Sequence, residues 1–166
     1  MPDLPPAHVS FPVITTPVGR MHAVACDGAL VSLRFVDAPS DTLPGAAPEP
    51  LHPAARAVHA FFEDPGHPIP LPLHPHGTPF QQAVWSALQE IPPGQTRSYA
   101  DIAHQIGRPR AIRAVAQAIA RNPIHLLIPC HRVIGSDGHL TGFAAGLWRK
   151  KWLLEFERTR QHPVSR

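Results

Sequence analysis

From Val9 to Val36 the chain alternates short apolar stretches with turn residues. Val9–Thr15, Arg20–Ala25 and Ala29–Val36 are rich in β-branched and aliphatic residues, as strands are. Thr16-Pro17-Val18-Gly19 supplies a turn after the first, and Asp27-Gly28 is a hairpin signal after the second. The pattern predicts a three-stranded meander. Ala54–Phe62 reads as a short helix with Val58, Phe61 and Phe62 on its apolar face. Pro-rich loops flank it, Pro/Ala-rich over 37–53 and extended, Pro/His-rich over 64–77. At Thr78 the period changes. Phe80, Val84, Leu88 and Ile91 recur at helical spacing, one apolar stripe. Thr78, Pro79 and Gln81 make the start signal of that helix, and Pro92-Pro93-Gly94 stops it. Ser98 and Asp101 open a second helix, with Tyr99, Ile102, Ala103 and Ile106 as its inner face and Gly107 as its end. A third spans 110–121, starting at Pro109, with Ile112, Val115 and Ile119 turned inward. Ile124, Leu126, Leu127 and Ile128, interrupted only by His125, then read as a largely buried strand.

The second and third helices, joined by Gly107-Arg108-Pro109, form a helix-turn-helix pattern. On the third helix Arg110, Arg113, Gln117 and Arg121 make one row, and positions 111, 114, 116, 118 and 120 are all alanine. A slim helix with an arginine row can approach a nucleic-acid groove closely. The plain alternative is an amphipathic helix with a solvated Arg face. Charge along the chain favours the groove. Residues 1–78 carry three Arg against seven Asp/Glu, whereas 79–166 carry twelve Lys/Arg against five. No acid stands between Asp101 and Asp137, a stretch with Arg108, Arg110, Arg113, Arg121 and Arg132. Such a basic half points to a polyanionic partner.

Composition removes other classes. At 43% apolar and 16% charged, the chain can bury a core and lacks the signature of disorder. No run of 18 apolar residues argues for a membrane span, and MPDLPPAHVS lacks the pattern of a secretory signal. Two cysteines, Cys26 and Cys130, make no disulfide framework, so a reducing cytoplasm is the expected compartment. Twelve histidines come with no HExxH or CxxC, and His74-Pro75-His76 reads as surface histidine rather than metal ligand. Trp85, Trp148 and Trp152 could form a base-stacking set, but their helical positions favour the core.

Residues 129–132, Pro-Cys-His-Arg, carry the candidate chemistry. A thiolate is the nucleophile, and a free thiol is only a few per cent ionised at neutral pH. A nearby His, Arg or helix N-terminus raises that fraction. In a regular strand Cys130 and His131 would point to opposite faces. Either the chain turns at Pro129-Cys130, or a water links the two side chains. A nucleophile–base pair also needs a group that orients the base. Glu155 and Glu157, on the terminal helix after Gly146, are the candidates. The alternative is a buried, inert cysteine.

The stretch from Thr78 to Glu157 resembles the DNA-binding and catalytic domain of the O6-alkylguanine-DNA alkyltransferases, the methylated-DNA–protein-cysteine methyltransferases. The resemblance is carried in collinear order by TPFQQAVW, IPPGQTRSYADIA, RAVAQAIARNP, IPCHRVIG and GLWRKKWLLEFE. TPVGRMHAVACDGAL resembles the family's variable N-terminal domain more loosely. The resemblance implies an α+β fold of two domains. Residues 1–77 would form a small sheet-and-helix domain. Residues 78–166 would form a mostly helical DNA-binding and alkyl-transfer domain with a helix-turn-helix of winged-helix type. It further implies direct-reversal repair of double-stranded DNA approached from the minor groove. An alkyl group passes irreversibly from O6 of a flipped guanine, with O4 of thymine a second candidate, to Cys130. His131 acts through a water as base and Glu157 orients it. Tyr99 assists flipping and protonation of the leaving guanine, Arg113 fills the gap in the stack, and Asn122 braces the turn before the reactive segment. Lys150 helps place that segment. DNA contacts map to Arg110, Arg113, Ala114, Gln117, Arg121 and Ser98, and the pocket to Tyr99, Val133, Phe143, Ala144, Ala145 and Lys150. No cofactor, metal or obligate protein partner is implied, and a monomer is expected.

Four positions depart from the family's commoner pattern. Ala116 and Gln117 stand where glycines or other small residues are often found on the recognition helix, Phe143 stands where Tyr is frequent, and Ala145 replaces a frequent Gly. Three other readings compete: a non-catalytic relative that binds the lesion, a helix-turn-helix transcription factor, and a Cys-His-Glu hydrolase. The intact Pro-Cys-His-Arg opposes the first. The alanine-rich helix is poor material for base readout in the second. The third needs an oxyanion hole that the sequence does not reveal.

Overall fold

The computed structural model describes residues 8–37 and 52–161 of the chain; most of the loop read over 37–53 lies outside them. Four strands form an antiparallel sheet: β1 (His8–Ser10), β2 (Ile14–Thr16), β3 (Gly19–Cys26) and β4 (Ala29–Val36). The expected first strand is therefore broken in two. Pro12 has no N–H to donate to a ladder, and the break falls there. β1 pairs with Val24–Cys26 and β2 with Gly19–Met21, so the two halves share one edge of β3 while β4 runs along the other. Met21, Ala23 and Ala25 alternate inward on β3 and are buried. Helix α1 (Pro53–Glu63) packs Ala54, Val58 and Phe61 into the same core as Ile14, Leu30 and Leu33.

Helix α2 (Pro79–Gln89) begins as its sequence predicts, with Thr78 and Gln81 in a reciprocal capping box. Gly77 precedes it because a Cβ there would lie 2.5 Å from the Trp85 ring. Strand β5 (Arg97–Ser98) leads into α3 (Tyr99–Gln105), which Ser98 and Asp101 cap in the same reciprocal way. Gly107, at φ 74°, turns the chain after α3. Helix α4 (Ile112–Ala120) is shorter than expected. Arg108 O accepts from Ala111 N–H at 2.9 Å, closing a separate turn, and Ala111 offers no capping side chain. Arg110 thus precedes the helix and Arg121 caps its end. Ile112, expected to face inward, is 43% exposed. The inner stripe runs instead through Val115, Ala118 and Ile119, and Trp85 Nε1 donates to Ala118 O at 2.8 Å, joining α2 to α4.

The predicted strand over 124–128 does not form. Ile124 makes a single parallel bridge to Leu33, and the chain then coils, with Leu126 at φ 72° and Ile128 N–H returning to Ile124 O. Ile124, Leu126, Leu127 and Ile128 are nevertheless buried, so apolarity reported burial but not geometry. A 3-10 turn follows at Cys130–Arg132, then β6 (Val133–Ile134), which pairs in parallel with β5. Helix α5 (Leu147–Gln161) closes the described chain. Trp85 is buried and Trp152 half-buried, but Trp148 is 57% exposed, against expectation. Two residues before Lys150, it lies about half a turn around α5 from the inner stripe of Lys150, Leu153 and Glu157, all buried. One contiguous core joins the sheet, α1 and the helices around Cys130. Among the described residues no helix is long and apolar enough to cross a membrane.

Candidate active site

The chain turns at Pro129-Cys130, which resolves the first of the two geometries left open by the sequence. Asn122 builds that turn. Its Nδ2 donates to Ile128 O at 2.9 Å and its Oδ1 accepts from Ile124 N–H at 3.0 Å, so one buried amide closes the coil that carries the cysteine. Cys130 heads the 3-10 turn and is buried. Burial pushes its thiol up from the ordinary value. The Asn122 side chain, the Lys150 charge and the N–H groups of Cys130 and His131 act in the opposite sense without overcoming it. Basic neighbours favour a thiolate, but adjacency alone does not secure one; at rest burial wins, because an anion loses more by leaving water than these neighbours return. The thiol therefore needs a base.

His131 is that neighbour. Its Nε2 meets Glu157 Oε1, with both side chains fully buried. Burial lowers the His131 pKa, and the Glu157 bond and charge oppose that. Burial alone would raise Glu157, but bonds from His131 and Arg132 hold its carboxyl below the ordinary value. A carboxylate only accepts, so His131 donates from Nε2 and keeps Nδ1 as the acceptor. Nδ1 is buried with no hydrogen-bond partner among the described residues. Glu155, the other candidate, points away from the site and pairs with Arg158. Arg132 belongs to the basic stretch of the sequence, yet it is structural to the site. Its Nε donates to Glu157 at 2.7 Å and its Nη1 to Ile91 O at 2.6 Å. Gly94 N–H adds a bond to Glu157 at 3.3 Å.

Across from this group lies the segment 141–146. Thr141 O accepts from Tyr99 Oη at 3.2 Å and from Lys150 Nζ at 2.9 Å. Burial lowers the Lys150 pKa, and nearby Cys130 opposes the shift. Phe143 is half-buried, its ring 6.3 Å from that of His125, while Ala145 is buried and Ala144 exposed. Val133 is buried at the start of β6. Cys130, His131, Glu157, Asn122 and Lys150 are thus gathered in one buried cluster, with Phe143 on the segment that Lys150 holds and Tyr99 beside it. Arg110, Arg113, Ala114, Gln117 and Arg121 lie on the exposed side of the α4 region. Among the described residues no acid pairs with these arginines or with Arg108. Ser98 spends its oxygen on the cap of α3. Sequence reasoning missed Arg149 altogether: it is buried and bonded to Val18 O, Ala145 O and Asp37. In sequence it is the first of three consecutive cations, Arg149-Lys150-Lys151, with nothing local to mark it as buried.

A family model described as 6-O-methylguanine DNA methyltransferase, DNA binding domain, matches residues 79–159. A methylated-DNA–protein-cysteine methyltransferase of Methanosarcina barkeri is 44% identical over 89% of this chain and 96% of its own length. One from Mycolicibacterium paratuberculosis is 42% identical over 95% and 96%. Among solved structures, Mycobacterium tuberculosis OGT in complex with DNA is 42% identical with a TM-score of 0.79, covering 89% of this chain and 92% of that one. The M. tuberculosis O6-methylguanine methyltransferase superposes with a TM-score of 0.80 at 40% identity over 95% and 97%. With Cys130 seated beside a buried His131–Glu157 pair in such a fold, the chain belongs to the methylated-DNA–protein-cysteine methyltransferase family.

Proposed function

We propose that Cys130 is the acceptor through which this protein performs direct-reversal DNA repair by alkyl transfer to its own cysteine. The observation that carries the assignment is the placing of Cys130 in a turn built by Asn122, between the Lys150 charge and the buried His131–Glu157 pair. His131, with Nδ1 as acceptor, takes the thiol proton through a water. The thiolate attacks the alkyl carbon, a C–S bond forms as the C–O6 bond breaks, and the electron pair leaves on guanine. Tyr99 supplies a proton to that guanine; His131 then releases the thiol proton to water and Tyr99 regains one, so the net transfer is one proton from sulfur to guanine. A thioether is a poor leaving group, so each molecule reacts once, with no cofactor.

A base inside a duplex is out of reach of a buried thiol, so the lesion must be flipped. The unpaired arginines of the α4 region supply the phosphate contacts. Arg113, at the start of α4, enters the minor groove and fills the vacated stack. Arg110, Gln117 and Arg121, with Ala114 and Ser98, face the backbone. β5 and β6 beside α3 and α4 support the winged-helix reading. The chain divides into a sheet-and-helix domain over 1–77 and a DNA-binding and alkyl-transfer domain over 78–166, the two sharing one core. The protein works as a monomer.

The test is a mass measurement after incubation with duplex DNA holding O6-methylguanine. One methyl on the peptide containing Cys130 is expected, and none with Cys130→Ser, which keeps DNA binding. A methyl on Cys26, or continued turnover with unmodified protein, overturns the assignment.

A further inference from the structure

We infer that Arg149 is a positioning residue for the alkyl pocket. It ties the segment 141–146 to the N-terminal sheet, so that the sheet helps set which alkyl groups are admitted. The inference rests on the transfer reading above and extends it to substrate selectivity.

Arg149 stands in the first turn of α5 and is 4% exposed. Its Nε donates to Val18 O at 2.7 Å, and its Nη1 to Ala145 O at 2.7 Å. Nη1 and Nη2 also reach the two Asp37 oxygens at 3.2 and 2.5 Å. The guanidinium lies over Phe35 at 4.5 Å and over Trp148 at 4.6 Å. Phe35 lies near the end of β4, Asp37 directly follows that strand and Val18 sits in the turn before β3, so three of these partners come from the sheet and its connections. Of the other two, Trp148 is its neighbour on α5 and Ala145 O is on the pocket segment. Gly19 completes the socket: a Cβ there would lie 2.7 Å from Arg149 Nη2.

The segment is consequently held at both ends. Tyr99 and Lys150 hold Thr141 O, and Arg149 holds Ala145 O. A second line of contact runs in parallel, from Phe35 to the His125 ring at 6.1 Å and from His125 to Phe143 at 6.3 Å. A planar guanidinium locked by several partners keeps its geometry, which a lysine ammonium on a flexible stem cannot reproduce. For a bulky alkyl group to enter, the Ala145 backbone must recede, and receding breaks its bond to Arg149. Asp37 is 73% exposed, so neutralising it weakens the hold without opening the core.

The experiment uses the full chain with Arg149→Lys and, separately, Asp37→Asn. Single-turnover rates are measured on duplexes carrying O6-methylguanine or O6-benzylguanine, so that flipping is common to both. The benzyl-to-methyl rate ratio should rise roughly tenfold in Arg149→Lys and roughly threefold in Asp37→Asn, the order expected when a charged hydrogen bond is lost or weakened. The pH profile should stay in place. Equal slowing on both substrates, an unmoved ratio or a displaced pH profile overturns the inference, since each marks a structural role or an action through Cys130. If Arg149→Lys does not fold, the Asp37→Asn ratio decides alone. Wild-type protein that transfers nothing to Cys130 would instead defeat the transfer reading on which this one rests.

Discussion

Nε2 of His131 and Oε1 of Glu157 meet where neither side chain touches solvent, and the same carboxylate also binds Arg132 and the Gly94 N–H. Glu157 thereby fixes the His131 tautomer and balances two neighbours that carry or take up positive charge. Replacing Glu157 with Gln keeps the shape but allows an amide N–H to face the imidazole. Alkyl transfer should slow by about 10²-fold or more, the range of a lost general base. Stability should fall by about 3 kcal/mol, because Arg132 is left buried without its counter-charge. Stopped-time alkylation and denaturant unfolding measure the two. An unchanged rate would remove His131 from the chemistry.

The Cys130 thiol is held up by burial and eased by the Lys150 charge. Transfer should therefore quicken as pH rises through the neutral range, because the reactive thiolate grows. In Lys150→Met the rise should move to higher pH, since the cation that favours the thiolate is gone. Single-turnover rates between pH 6 and pH 9 would show it, roughly tenfold per unit below the apparent pKa. A profile that is flat, or that moves to lower pH in Lys150→Met, contradicts this electrostatic account.

Arg113 is exposed, unpaired with any acid among the described residues, and stands at the first turn of α4. Flipping costs a few kcal/mol in unstacking, which a guanidinium in the gap offsets in part. Arg113→Ala should slow repair of a matched duplex about tenfold or more, equivalent to about 1.4 kcal/mol. The deficit should shrink opposite a mismatch and vanish with free O6-benzylguanine. Equal deficits on all three substrates would mean that Arg113 supports the fold instead.

His125 is buried between Phe35 and Phe143, and burial first, then the charges of Arg34 and Arg149, lower its pKa to about 4. An unfolded histidine titrates near 6.5. Between those values the unfolded chain holds a proton that the folded one does not. Stability from this group is complete above about pH 6.5 and declines as pH falls through about 4, by about 3 kcal/mol in all. Thermal unfolding followed from pH 7 to pH 4 should show a slope that His125→Leu reduces. An unchanged slope would show that His125 takes up its proton as readily folded as unfolded.

The reactive motif, the two capping boxes, the helix-turn-helix and the family were legible in the order of residues alone. Local signals carried them: Thr78–Gln81 and Ser98–Asp101 satisfy their own helix ends, and neighbours in sequence are neighbours in a helix. Candidates for the base and its orienting acid were also visible, but not the choice between Glu155 and Glu157. That choice depends on which face of α5 meets the 3-10 turn. Tertiary packing also decided that 124–128 would coil rather than extend. Asn122 closes that coil across six residues, and an apolar run has no preference between a buried strand and a buried turn. The start of α4 shifted because a turn closed by Arg108 and Ala111 competes with the first helical turn. Arg132 counts in sequence only as part of a basic stretch and Arg149 carries no assignment, yet both are buried. A guanidinium enters a core only when distant carboxylates and carbonyls converge on it. Those partners, Glu157 and Ile91 for one and Val18, Asp37 and Ala145 for the other, meet only once the chain has folded.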